Sequence, residues 1–244
     1  MSEAALAGLK VAVTGASGDI GRALCRSLAA EKAHLSLLGR DAGRLERLAN
    51  ELRHLASGVS VRPVDLTSDE SIARAAAQLQ QETGRVDILV HGAGSFEMGA
   101  HASAAVIAFD RQYRTNVRGP YLLTQALLPL LCASRGQVVF INSTVGLEAR
   151  AEVGQYAATQ HALRAMADAL RAEVNAEGVR VLSIYLGRTA TARQAQIFRL
   201  EGRDYKPELL LQPQDVADMI IATLRLPRTA EVTEIRMRPL VKSY

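Results

Sequence analysis

Leu9-Lys10-Val11-Ala12-Val13-Thr14 runs without a break into Gly15-Ala16-Ser17-Gly18-Asp19-Ile20-Gly21, and the apolar positions of Ile20–Glu31 then recur at helical spacing. A short apolar run rich in valine reads as a buried strand. Glycines directly behind it let the backbone turn tightly and approach a bound group closely. The helix that follows offers unpaired amides and the positive end of its dipole, which together favour a phosphate. Strand, glycine turn and helix in this order make a candidate pyrophosphate cradle near the chain start.

Outward from this unit the same alternation continues. His34–Leu38, Val59–Val64, Val86–His91, Gln137–Asn142 and Val179–Tyr185 read as strands, and Arg44–Leu55 and Ser71–Thr83 as helices. Strands apolar on both faces suit a parallel sheet covered by helices. Right-handed crossovers then predict a doubly wound α/β fold with strand order 3-2-1-4-5-6. A helix at Pro213–Leu226 and a strand at Glu231–Met237 add a seventh strand. No linker or repeat divides residues 1–244, so one domain is expected. The one irregular stretch, Thr189–Gln212, is polar and contains Gly202 and Pro207; it reads as a substrate lid or as a plain surface excursion.

Composition narrows the partners. With 48% hydrophobic and 22% charged residues the chain is an ordinary globular one. Its net charge of +4 comes from arginines scattered among acids, with 4% aromatics. That pattern predicts a solvated surface and no nucleic-acid partner. Ala4–Leu9 is too short for a signal core, and no uncharged apolar run is long enough to span a bilayer. A cytoplasmic protein is expected. Cys25 and Cys132 sit in apolar helical patterns and are expected to be buried free thiols; with the histidines dispersed, no metal site is expected.

The glycine segment resembles the TGxxxGxG cofactor loop of the short-chain dehydrogenase/reductase family, with Thr14, Gly15 and Gly21 matching and Asp19 at the family's middle glycine. The spacing Gly15, Gly18, Gly21 is also similar to the TGxxGxxG form of the extended members. The resemblance implies a Rossmann fold and a dinucleotide held by Gly15, Ser17, Gly18, Asp19, Ile20 and Gly21. Asp19 either supports the helix N-terminus or repels the dinucleotide. After the second strand stands Gly39-Arg40, where an acid would accept from the 2′-hydroxyl of NAD. Arg40 instead offers a permanently charged fork to a 2′-phosphate, so NADP(H) is the expected cofactor. Asp65-Leu66 matches the adenine-side position. His91-Gly92-Ala93-Gly94 stands at the family's NNAG, with Ala93 and Gly94 fitting. His91 reads as a core or loop histidine.

Carbonyl reduction requires a proton donor at the forming alkoxide and a hydrogen bond to the oxygen. Ser143 at a strand end, Tyr156 thirteen residues later at the start of a long helical pattern, and Asn116 in the preceding helical region can supply that chemistry. They match the family's catalytic Asn, Ser and Tyr. The family's YxxxK is Tyr156-Ala157-Ala158-Thr159-Gln160 here, so Gln160 replaces the lysine that holds the nicotinamide ribose and lowers the tyrosine pKa. A glutamine can bond ribose hydroxyls but brings no charge. If another group supplies that charge, Arg164 is the first candidate. Leu186-Gly187-Arg188-Thr189-Ala190-Thr191 resembles the PGxxxT segment, which places Gly187, Thr189 and Thr191 at the nicotinamide.

The resemblance spans essentially the whole chain. It implies an NADP(H)-dependent oxidoreductase reducing a carbonyl or related C=X group of a small molecule. The departures at Asp19, His91-Gly92, Gln160 and Leu186 leave open a protein of the same fold without hydride transfer: a lyase, isomerase, dehalogenase or dinucleotide sensor. The family's usual pairing through the helices of Asn116 and Tyr156 implies a homodimer or homotetramer.

Overall fold

The computed structural model describes residues 5–241, so Ala4, where the short apolar N-terminal stretch begins, lies outside the described residues. Seven parallel strands form one sheet: β1 (Lys10–Thr14), β2 (His34–Gly39), β3 (Gly58–Pro63), β4 (Ile88–His91), β5 (Gln137–Ser143), β6 (Arg180–Leu186) and β7 (Glu234–Met237). Their order is β3-β2-β1-β4-β5-β6-β7. The direction of winding therefore reverses between β1 and β4, which pair from Val11↔Ile88 to Thr14↔His91. In a sheet of this kind a crevice opens beyond the strand carboxyl ends at that switch point.

Among the described residues eight α-helices connect and cover the strands: α1 (Asp19–Ala30), α2 (Ala42–Leu52), α3 (Asp69–Thr83), α4 (Val106–Tyr113), α5 (Gly119–Ser134), α6 (Gly154–Val174), α7 (Ala192–Leu200) and α8 (Pro213–Leu224). Two apolar layers result. On one face Leu24, Leu28, Leu45, Leu48, Val216 and Ile220 from α1, α2 and α8 pack on the sheet. On the other, Ile72, Leu79, Leu123, Leu127, Leu163 and Ala167 from α3, α5 and α6 do so. Alternate residues of the central strands feed the two layers, Val11 and Val13 one and Ala12 the other, whereas the edge strands β3 and β7 feed only the first and carry Ser60, Arg62, Glu234 and Arg236 on their other face.

Local chemistry sets the helix ends. Asp41 caps α2 by accepting from Arg44 N at 2.9 Å, and Ser68 caps α3 by accepting from Ser71 N at 3.2 Å. Gly84 ends α3 in the left-handed conformation at φ 57°, where a glycine carries no Cβ penalty.

Two expectations need correction. The stretch Thr189–Gln212 is not irregular, because it contains α7, whose start is capped by Thr191 accepting from Gln194 N at 3.1 Å. Arg188 and Arg203 stack over Phe198, the buried residue of α7, at 4.6 and 5.3 Å from its centroid. Cys132 is only half-buried, since α5 is apolar around much of its circumference and leaves part of it uncovered. Cys25 is buried as expected, and burial pushes its thiol up to about 12, which keeps it protonated. Among the described residues no helix is long and apolar enough to cross a membrane, and no cluster of three His, Cys, Asp or Glu stands ready for a metal.

Candidate active site and cofactor cleft

The glycine loop leaves β1 at the switch point, and its glycines are required sterically. Gly15 has φ +69°, and a methyl group there would sit 2.7 Å from Ala93 N. A methyl on Gly21 would overlap the Gly15 carbonyl oxygen and stand 2.9 Å from Ala16 Cα. Loop, α1 and the segment after β4 are thus packed backbone on backbone. Thr14 fastens the same junction, its hydroxyl donating to Val90 O at 3.2 Å and accepting from Gly92 N and Ala93 N at 3.1 and 3.3 Å.

No side chain caps the N-terminus of α1, whose N-cap is the exposed Gly18. Asp19, the first residue of α1, turns its carboxylate away from this helix. Its Oδ2 accepts from Ala192 N at 2.8 Å, joining the glycine loop to the start of α7. Arg40 is exposed immediately after β2. Arg44 stands nearby, donating to Ser17 O at 2.7 Å. The sequence reading placed Arg44 only at the start of α2. Its position four residues after Arg40 is the signal that would have found it.

After β3, Leu66 is buried and the Asp65 side chain is exposed. The Asp65 carboxylate accepts from Thr67 N and Oγ1 at 2.9 and 2.8 Å. Ile20 packs against the core beneath the loop. Beyond β6, Gly187 N donates to Met237 O, while Thr189 Oγ1 donates to Gly187 O at 3.1 Å. The Thr191 hydroxyl is committed to capping α7.

Ser143 ends β5, and Tyr156 lies in the first turn of α6; the Ser143 hydroxyl accepts from Val145 N at 3.4 Å and stands close enough to the phenol to lower its pKa. Phe96 packs edge-on against Tyr156, with ring centroids 4.9 Å apart. Burial raises the Tyr156 pKa above the ordinary phenol value, opposed by the Arg193 guanidinium and by the nearby Ser143 hydroxyl. At pH 7 the phenol is therefore protonated.

Asn116 occupies a single π-helical turn, Arg114–Arg118, between α4 and α5. Its amide is fully used: Oδ1 accepts from Ser95 N at 2.7 Å, and Nδ2 donates to Ser95 O at 2.8 Å and to Thr159 Oγ1 at 3.0 Å. Asn116 thus ties the segment beyond Gly94 to α6. Gln160 shares the helix face of Tyr156, is buried, and has its Nε2 3.5 Å from Thr159 Oγ1. Arg164 does not reach the site. It pairs with Asp168 and Glu234 at 3.8 and 3.6 Å and lies over the Tyr185 ring, because two strands of the sheet edge draw it away. The cation that lowers the Tyr156 pKa is Arg193, which donates to the Gly94 carbonyl oxygen and which the sequence reading missed.

His91 is buried, stacked on Phe140 with centroids 4.9 Å apart, and its Nε2 is 2.8 Å from Thr124 Oγ1. It is a packed core histidine beneath the Gly92–Gly94 segment.

Comparison with known proteins agrees with this geometry. The short chain dehydrogenase family model matches residues 10–201. An uncharacterized oxidoreductase of Staphylococcus aureus (strain USA300) is 33% identical over 233 residues, covering 95% of this chain and 97% of the relative. The alcohol dehydrogenase of the archaeon Thermococcus sibiricus, solved with 5-hydroxy-NADP, superposes with TM-score 0.87 at 26% identity, covering 97% of this chain and 98% of its own. A metagenomic short-chain oxidoreductase in complex with NADP gives TM-score 0.84 at 25% identity, over 98% and 100% of the two chains. With its seven-stranded Rossmann sheet, its glycine loop at the switch point and a match over most of its length, the chain belongs to the short chain dehydrogenase family.

Proposed function

We propose that the protein is an NADP(H)-dependent oxidoreductase that reduces a carbonyl or related C=X group of a small molecule. The observation that carries this reading is the placement of Ser143, at the carboxyl end of β5, beside Tyr156, in the first turn of α6, two strands from the glycine loop. The loop fits a dinucleotide. Its glycines hold the backbone too tight for side chains, and the amides at the start of α1 are uncapped. Gly15, Ser17, Gly18, Ile20 and Gly21 would hold the pyrophosphate, and Arg40, with Arg44 beside it, a 2′-phosphate. Asp65 and Leu66 would border the adenine; Ala93, Gly94, Gly187, Thr189 and Thr191 would line the nicotinamide half.

A reduced nicotinamide dinucleotide held by these residues would supply the hydride. Ser143 orients and polarises the substrate oxygen by donating a hydrogen bond. Tyr156 transfers its phenolic proton to that oxygen as the alkoxide forms, and the raised pKa keeps the proton in place until then. Asn116 acts through backbone, fixing Ser95 and α6 relative to each other. Gln160 would meet ribose hydroxyls as a neutral donor and acceptor. The residues Thr189–Gln212, with α7 at their centre, would cover the substrate as a lid.

Turnover of NADPH with a panel of ketones and aldehydes tests this reading. Activity should vanish in Tyr156→Phe while NADPH binding persists. Tight NADPH binding without turnover on any carbonyl would return the non-redox alternative.

A further inference from the structure

The helix that carries Tyr156 brings no cation to it. Gln160 is neutral, His161 turns to Ala157 O at 2.9 Å, and Arg164 is held by Asp168 and Glu234. A cation does stand across the cleft, beside the segment after β4. Arg193, second residue of α7, donates from Nη2 to the Gly94 carbonyl oxygen. Its Nη1 lies 3.7 Å from the space that a methyl on Gly94 would fill, and Asn116 Oδ1 borders the same space at 3.5 Å. Among the described residues no carboxylate pairs with Arg193.

The position of Arg193 is built. Its neighbour Ala192 is fastened through N–H to Asp19 of the glycine loop. Thr191 caps the helix, and the Tyr205 hydroxyl donates to Thr191 O at 3.4 Å. Buried Phe198 anchors the other end of α7. Around Tyr156 stand Ser143 from β5, Phe96 and Met98 from the segment after β4, Val145 and Val153 from the β5–α6 connection, and Arg193 from α7. Arg193 is the one of these that carries charge.

We propose that Arg193 supplies from α7 the positive charge that α6 lacks at Gln160, and that the Asp19–Ala192 contact is the latch that holds it there. Arg193 is then a positioning residue acting through Tyr156, and activation of the proton donor is coupled to the lid. Arg193 is exposed to the open cleft, so water screens part of its field, and a seated substrate would remove that screening. The catalytic consequence rests on the reductase reading; the effect on the phenol does not.

The test is the Tyr156 titration, followed by fluorine NMR in protein labelled with 3-fluorotyrosine, whose phenol ionises at lower pH. The resonance is assigned by its loss in Tyr156→Phe. Arg193→Gln should raise the midpoint by about one pH unit, and Arg193→Lys should recover most of the shift. Gln160→Lys in the Arg193→Gln background should bring it down again. Ala192→Pro removes the latching N–H at the first helical position, where proline is tolerated, and changes no charge. It should raise the midpoint in the same direction. An unmoved midpoint in Arg193→Gln overturns the proposal, and one unmoved in Ala192→Pro overturns the latch. A shift without any carbonyl turnover would sink the reductase reading alone. Turnover without a shift would sink this inference alone.

Discussion

His91 gives the protein an acid-sensitive point directly under the cofactor cleft. Burial lowers its pKa from 6.5 to about 3, and its Nδ1 has no hydrogen-bond partner among the described residues. Above pH 6.5 the imidazole is neutral in folded and unfolded chains alike, so it adds no pH dependence there. Below 6.5 the unfolded chain takes up a proton that the folded one refuses, and stability falls by about 1.4 kcal/mol per pH unit until about pH 3. At pH 5 the loss from His91 is about 2 kcal/mol, a large share of a typical folding free energy. Burial lowers the His34 pKa as well, with the positive charges of Lys10 and Arg62 adding to it, so the whole protein should show a steeper slope than His91 alone gives. His91→Asn isolates the difference. Urea unfolding at pH 7.5 and pH 5.0 should show the unmodified protein losing about 2 kcal/mol more than the variant over that interval. Equal losses in the two proteins would mean that His91 is protonated without cost, and the packing against Phe140 and Thr124 would not explain its state.

Three further outcomes follow from the site. Gly21→Ala forces a methyl into the Gly15 backbone, so NADPH binding should fall at least tenfold while far-ultraviolet circular dichroism stays native; undiminished binding would refute the cradle. Asp19→Gly removes a negative charge at the start of α1 together with its hydrogen bond to Ala192 N, and should lower the NADPH dissociation constant, more so at low salt; a raised constant would mean that the link to α7 outweighs the repulsion. Gln160→Lys should move the pH profile of alcohol oxidation down by about one unit or more at saturating cofactor, because oxidation needs tyrosinate and reduction needs the neutral phenol. A profile that stays in place would mean that the lysine does not reach the field of Tyr156.

The frame of this molecule was legible because it rests on local pattern. Val11–Val13 is apolar on both faces and His34–Leu38 on one, with Leu35 and Leu37, and each observed strand begins and ends within a few residues of its reading. Ser143 and Tyr156 were legible because a strand end and the next helix start meet in any sheet of this topology. What stayed hidden are contacts between distant parts of the chain. The Asp19–Ala192 hydrogen bond joins residues far apart in sequence, and nothing in either segment announces the other. The same distance hid Arg193 and made Arg164, on the right helix but drawn toward Glu234, look like the nearer cation. The helix α7 was a different omission, since Thr191 followed by Ala192, Arg193, Gln194 and Ala195 is a cap followed by strong helix formers.

The most direct measurement is a fluorescence titration of the unmodified protein with NADPH and with NADH at one ionic strength. In the proposed reading Arg40 and Arg44 hold a 2′-phosphate, and a charge-assisted contact of about 1.5–3 kcal/mol predicts NADPH binding roughly ten- to a hundredfold tighter. Arg40→Asp should abolish or invert the preference. Equal affinities for the two dinucleotides, or saturation with neither, would contradict the account.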